Sequence, residues 1–312
     1  MPQPENLGTV QLSPTFSRVL GEIGNSFPLR QRLFQKFREK TGRQLVSYVA
    51  ILVGIPGTDI NPVDIAGFAD LLKNVSPSEP VDLLINSLGG SADVAEKVVE
   101  LCRGQGRRFR VIVPNFAKSA ATLIALGSDQ IVMSDTSQLG PIDPQFTHVI
   151  RPGQAIFVPA HSIIKSYKEL IERVNNQGKL LPADVPQLAG IDLAYIDVAR
   201  AAIARAENLA RTWLKKYMLF GRDQDAEETV QILVGSKPKY LSHGQVVNYA
   251  EARDLLKLNV EYLPPDDPLW EIIWELYVRS DMFCHQTQQA KIFESESISM
   301  GLKIQMVGPT GA

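Results

Sequence analysis

The run Val81-Asp82-Leu83-Leu84-Ile85-Asn86-Ser87-Leu88-Gly89-Gly90-Ser91-Ala92-Asp93-Val94-Ala95 decides the fold class. Val81–Ile85 is a short apolar stretch of strand length, and Gly89-Gly90 breaks it with a turn that only glycine makes easily. From Ala92 to Arg103 the period changes: Ala92, Ala95, Val98, Val99 and Cys102 recur at helical spacing, with Glu96, Lys97 and Glu100 on the opposite side. Ser91 stands where an N-cap belongs. A buried strand feeding an amphipathic helix is half of a crossover unit, and one such unit implies others beside it in the chain.

They are present on both sides. Val46–Val53, Phe109–Val113 and Gln130–Met133 read as further buried strands, and Pro62–Lys73 and Ala120–Leu126 as the helices between them. Strands apolar on both faces and separated by helices predict an α/β fold with a parallel sheet covered on both sides. Upstream, Leu29–Thr41 carries Leu29, Leu33, Phe34 and Phe37 at helical spacing and stops at Gly42. Downstream the chain turns helical over Ser162–Asn175, Asp192–Tyr217, Asp225–Val234, Gln245–Leu256 and Pro268–Phe283, with one more strand candidate at Asn259–Leu263. Trp213, Trp270 and Trp274 on the late helices suit either subunit contacts or packing within the chain. The tail from Ser295 shows no helical period and reads as loosely held.

Composition narrows the function. The 312 residues hold 32 Lys+Arg against 34 Asp+Glu, a formal net charge of -2, four His and two Cys. Near-neutral charge argues against nucleic acid as partner. Cys102 and Cys284 make neither a disulfide framework nor a four-thiolate metal site, and no metal is expected. Cys102 falls on a core face and reads as a structural thiol. The start lacks the apolar core of an export signal, and Val46–Pro56 is too short to span a bilayer, so a cytoplasmic protein is expected. Arg30, Arg32, Lys36, Arg38, Lys40 and Arg43 surround a single acid, Glu39; they read as a solvated helix face, with peripheral membrane contact as the other reading.

Three pieces carry chemistry. Asn86-Ser87-Leu88-Gly89-Gly90-Ser91 closes a buried strand with paired glycines, which let backbone N–H groups approach a ligand at the mouth of the sheet. Pro114-Asn115-Phe116-Ala117-Lys118-Ser119-Ala120-Ala121-Thr122 follows the next strand and opens a helix. That places the Ser119 hydroxyl as a nucleophile or a plain N-cap, with the Ala120 N–H free for a developing oxyanion. Ser137-Gln138-Leu139-Gly140-Pro141-Ile142-Asp143-Pro144-Gln145 brings a polar loop to the same edge.

The order of these pieces, the Gly-Gly loop, then AKSAATLIALGSDQIVM, then SQLGPIDPQ, resembles the Clp-protease/crotonase superfamily. Within it the chain is similar to the signal peptide peptidase A-like serine peptidases, and above all to the serine dehydrogenase proteinase (SDH-type) branch. Leu241-Ser242-His243-Gly244 and Ala250–Val260 look like that branch's C-terminal element, with Lys257-Leu258 where Gly-Leu is expected. The resemblance implies stacked ββα units around a parallel sheet, with residues 1–43 as an N-terminal extension and basic helix. The peptidase domain would run over 44–263 with a helical insertion at about 162–235, and 264–312 would be a C-terminal helix and loose tail. It also implies homo-oligomers, a polypeptide substrate, and peptide-bond hydrolysis through an acyl-enzyme on Ser119, with the N–H groups of Gly90, Gly89 and Ala120 as oxyanion hole.

The resemblance calls for no cofactor. The branch name suggests serine breakdown, but neither a pyridoxal phosphate site nor cluster cysteines are visible. The proton acceptor is less defined. Clp protease places a His on the strand after the nucleophile helix, and the matching Leu139–Asp143 holds none, only Asp143 as a supporting carboxylate. The signal peptide peptidase-like families use a Ser–Lys dyad, and Lys165 and Lys168 fall in the corresponding window, Lys168 preferred for its Tyr167-Lys168-Glu169 context. His148 and His161 are alternatives, while Lys118 is expected to point away from Ser119. Two other readings compete: a crotonase-like acyl-CoA enzyme using the same N–H pair, and an inactive oligomeric scaffold.

Overall fold

The computed structural model describes residues 26–51, 57–104, 106–151, 154–189, 192–235 and 244–303, with Thr15 and Val19 besides. The main sheet comes from runs that are apolar on both faces: β1 (Gln44–Ala50), β2 (Val81–Asn86), β3 (Phe109–Ile112) and β5 (Gln130–Met133) lie side by side in chain order, all parallel. Alternate residues serve alternate faces. Val46, Tyr48, Leu83, Ile85, Val111 and Ile131 belong to one core cluster, whereas Leu45, Val49, Leu84, Ile112 and Val132 belong to the other.

The crossover helices pack on the first face: α2 (Asp64–Leu72), α3 (Ala92–Arg103) and α4 (Ala120–Leu126). α1 (Phe27–Thr41) covers the second face together with α9 (Pro268–Thr287). α1 ends at Gly42 in the left-handed conformation (φ 67), as the sequence predicts. Ser91 caps α3 by accepting the Val94 N–H at 3.4 Å. Trp213 is buried in the cluster on the first face and Trp270 in that on the second, with Trp274 half-buried against the latter, so these rings take part in packing within the chain.

Each of the central units carries a second, short strand on a different layer. β4 (Phe116–Ala117) pairs with β6 (Gln138–Leu139), and single bridges join Ile60 to Gly90, Ser87 to Ala117 and Leu139 to Val247. This is the stacked ββα pattern. β7 (Gln145–Arg151) and β8 (Gln154–Pro159) then form an antiparallel hairpin that the sequence did not announce, followed by α5 (Ala160–Gln177), α6 (Asp184–Ala189), α7 (Leu193–Lys216) and α8 (Asp223–Val230). β9 (Val260–Tyr262) joins β5 at one edge.

Two expectations are corrected. The stretch after Ser295 is not loose throughout: β11 (Ser299–Lys303) pairs with β10 (Gln289–Ser295), which itself lies antiparallel to β1. Nor is the basic N-terminal segment a uniformly solvated face. Arg30 is fully buried and forks onto both Glu294 oxygens at 2.7 and 2.8 Å, fastening α1 to β10, while Arg43 reaches Asp82 at 2.6 Å. Removing one member of such a buried pair costs about 3–5 kcal/mol. Among the described residues, no helix is long and apolar enough to cross a membrane.

Candidate active site

The site forms where the second layer stops. Asn86, buried at the end of β2, donates to the Ala50 carbonyl at 3.1 Å and accepts the Phe116 N–H at 3.0 Å, so the ends of β1, β2 and β4 hold a fixed spacing. The chain then turns through Gly89 (φ 102) and Gly90 (φ 150). Ile60 N–H donates to the Gly89 carbonyl and Ser91 N–H to the Ile60 carbonyl, both at 2.8 Å. In a parallel bridge of this kind the residue between the two contacts faces the other way. The Gly90 N–H therefore points off the ladder, and no described residue accepts it.

The neighbouring strand delivers Ser119. Its backbone sits at φ 51, ψ -117, a conformation L-residues seldom adopt, and its side chain makes no capping bond to α4. The N-cap reading is thus set aside. Strain of this kind costs about 1–3 kcal/mol and persists where the surroundings enforce it. Ala120 is the first residue of α4, so its N–H has no intrahelical partner and stands at the positive end of the helix dipole. Gly89 contributes space: its N–H is taken by Ser87 Oγ at 3.1 Å, and a Cβ there would stand 2.7 Å from Ser119 Cβ.

Ser119, Gly89, Gly90 and Ala120 line one end of a cavity of about 770 Å³. Leu123, Ile142 and Phe146 make its wall apolar, and Ala202, Arg205 and Ala206 of α7 close over it. Arg205 bonds Asp93 and Glu96 of α3, which ties α7 down. These α7 residues were missed by sequence reasoning; the signal was the small-residue stripe Ala199, Ala202, Ala206, Ala210, which permits close helix approach.

The proposed proton acceptors are spread out. Lys165 is 76% exposed and pairs with Glu169 at 3.7 Å, Lys168 is exposed on the same helix, and neither lines the cavity. α5 nevertheless starts at the wall, because Ala160 N–H donates to the carbonyl of Pro144, a lining residue, at 2.8 Å. Lys118 is 5% exposed and donates to the carbonyls of Leu139 (2.9 Å) and Gln245 (3.2 Å); burial lowers its pKa to about 8. It points into the β6 side, as expected.

Asp143 lies between the lining residues Ile142 and Pro144. Burial raises its pKa, opposed by His161, and its Oδ1 has no partner among the described residues. His161 Nε2 lies 2.5 Å from the Val234 carbonyl and so carries the proton there. His148 sits exposed on β7, and Leu241, Ser242 and His243 lie outside the described residues. Among the described residues that line the cavity, the ionisable groups are Asp59, Asp93 and Arg205.

Several known proteins are similar to the chain. Two uncharacterized proteins of Methanocaldococcus jannaschii are each 30% identical to the chain. One aligns over 198 residues (63% of this chain, 58% of the relative), the other over 155 (49% and 44%). The chain thus spans about half the length of the curated relatives it matches. Among solved structures, ClpP1 from Listeria monocytogenes is 13% identical with a TM-score of 0.40, covering 77% of this chain and 99% of that one. A serine-to-alanine mutant of the 1510-N membrane-bound stomatin-specific protease is 17% identical with a TM-score of 0.28, covering 67% and 94%. The family model for ClpP-like SDH-type serine proteinases matches residues 51–260, from just after β1 through the Ser119 turn to the start of β9, and the chain belongs to that family.

Proposed function

We propose that the chain hydrolyses peptide bonds through an acyl-enzyme on Ser119. The observation that carries this reading is the uncapped, strained Ser119 set between two free N–H groups at the end of an apolar cavity. Ser119 Oγ attacks the scissile carbonyl carbon from the cavity. The carbonyl oxygen takes up the charge and is received by the Gly90 and Ala120 N–H groups, and the leaving amine departs with a proton. Water then attacks the ester and restores the serine. Leu123, Ile142 and Phe146 offer an apolar wall to the substrate side chain beside the scissile bond.

The proton acceptor in this reading is a lysine of α5, Lys165 or Lys168. Each stands in solvent, so the dyad requires α5 to shift toward the cavity when substrate or a second copy is bound. Asp143 would support the approaching amine. Self-association belongs to the same proposal: the hairpin and the segments that follow it leave Phe157, Leu180, Val185, Leu193 and Val198 exposed, apolar side chains that a second copy could cover. An acyl-CoA reading uses the N–H pair but has no need of a strained serine.

The test is labelling by a serine-directed fluorophosphonate, with the adduct located by peptide mapping, alongside cleavage of an unfolded fluorescent polypeptide. Label on Ser119, and loss of both signals in Ser119→Ala, are expected. Undiminished cleavage by Ser119→Ala refutes the proposal.

A further inference from the structure

A buried pair of opposite charges lies under the turn that carries Gly90, outside the cavity. Lys291 of β10 and Asp64 at the start of α2 are both fully buried, with Lys291 Nζ 2.6 Å from Asp64 Oδ1. Asp64 Oδ2 accepts the Tyr48 hydroxyl at 3.0 Å and the Asn61 N–H at 3.1 Å. The ammonium has one more contact: it donates to the carbonyl of Asp59 at 2.7 Å. A buried ion pair is weak support for stability, since apolar residues of the same volume usually do as well. Its place needs another reason.

The reason follows from tracing the peptide groups. The Asp59 carbonyl and the Ile60 N–H are two ends of one planar amide. Ile60 N–H donates to the Gly89 carbonyl at 2.8 Å. The Gly89 carbonyl and the Gly90 N–H are in turn the two ends of the next amide. From the Lys291 ammonium, therefore, two peptide groups run head to tail, and the second ends on the N–H that faces the cavity beside Ser119. Hydrogen bonds in series polarise one another by roughly 10–30% per bond, and a cation on the first carbonyl drives that polarisation toward the last N–H. Asp64 keeps the ammonium in place, but it is the cation that touches the carbonyl.

We propose that Lys291, held by Asp64, is a positioning residue for the oxyanion hole: it fixes and polarises the two-amide chain that presents the Gly90 N–H. The inference rests on the acyl-enzyme reading and deepens it. Lys291 lies beyond the segment that the family model matches.

The experiment uses the full chain in two variants. Lys291→Met leaves Asp64 buried without its cation and is expected to lose stability; Asp64→Asn/Lys291→Met removes both charges and is expected to fold like the wild type. The measurements are kcat and KM on an unfolded fluorescent polypeptide, and inhibition by a peptidyl aldehyde, whose adduct with Ser119 carries an oxyanion, against the matching peptidyl alcohol, which forms none. Loss of a whole oxyanion donor costs about 10²–10³ in kcat, so weakening one is expected to cost roughly tenfold. The double variant is expected to show that loss in kcat and in aldehyde affinity, with KM and alcohol affinity within about twofold of wild type. Wild-type kcat and aldehyde affinity in the folded double variant overturn the inference, as does an equal loss of aldehyde and alcohol binding, which marks general loosening. If fluorophosphonate fails to label Ser119 in the wild type, the acyl-enzyme reading itself falls; labelled wild type with an unaltered double variant defeats the positioning role alone.

Discussion

Replacing Gly89 with alanine strikes the contact on which the whole site depends. The new Cβ would stand 2.6 Å from the Lys118 carbonyl oxygen, 2.7 Å from Ser119 Cβ and 2.9 Å from the Ala120 nitrogen. Two of these are backbone atoms, so no side-chain rotation relieves the clash. Overpacking of this kind costs about 1–3 kcal/mol, and holding an alanine at φ 102 adds roughly 1–3 kcal/mol. Out of a typical stability of about 5–15 kcal/mol, the variant remains folded but weakened. The same displacement parts the Gly90 and Ala120 N–H groups, and loss of one oxyanion donor lowers reactivity by about 10²–10³. Urea unfolding measures the first effect, and the rate of fluorophosphonate labelling at a temperature where the variant is folded measures the second. Gly42→Ala is the control: Gly42 has φ 67 and no atom within 4 Å of an added Cβ, so a loss of about 1 kcal/mol with unchanged labelling is expected. Wild-type labelling by Gly89→Ala, or an equal fall in Gly42→Ala, refutes the reasoning.

Two further predictions concern turns and buried charge. Lys257 holds φ 54, in the left-handed region that favours glycine. Lys257→Gly is therefore expected to gain up to about 1 kcal/mol, a rise of roughly 2 °C in the calorimetric midpoint, and an unchanged or lower midpoint would sink the idea. Burial raises the Asp143 pKa, so folded protein holds this proton to higher pH than unfolded chain does; its contribution is greatest below about pH 4 and is lost as pH rises through the folded value. Asp143→Asn should accordingly gain stability over wild type at pH 7 and not at pH 4 in urea titrations, and the opposite trend contradicts the assignment.

The legible parts of the chain are those whose partners are near in sequence or uniform in kind. α3 and α4 have the bounds the pattern predicts, because one has a clean apolar stripe and the other is apolar all round. Ser119, Gly90 and Ala120 fall together at one end of the cavity because two short turns, both visible in the sequence, place them there. β10 escaped notice because Lys291 and Glu294 interrupt its apolar run, and their partners, Asp64 and Arg30, lie more than 200 residues away. β11 is an edge strand with exposed residues at every second position, so no apolar run marks it. A proton acceptor has no such local pattern, and the two lysines that the sequence offers, Lys165 and Lys168, do not line the cavity.

The site's donors exist because a sheet ends. Ile60 satisfies one side of the Gly89–Ser91 strand, and Ser87 bonds Phe116 and Lys118 on the other, but at Ser119 the neighbouring strand leaves the layer to begin α4. The N–H of Gly90 is left at an unpaired edge and that of Ala120 at an unpaired helix start, a few atoms apart. An unsatisfied N–H shut away from water costs about 1–3 kcal/mol, so such a pair is tolerable only where water or a substrate carbonyl can reach it. The cavity meets that demand. Side chains such as Asn86 and Lys291 hold the ends of the strands in register, and the reactive groups follow from where the register stops.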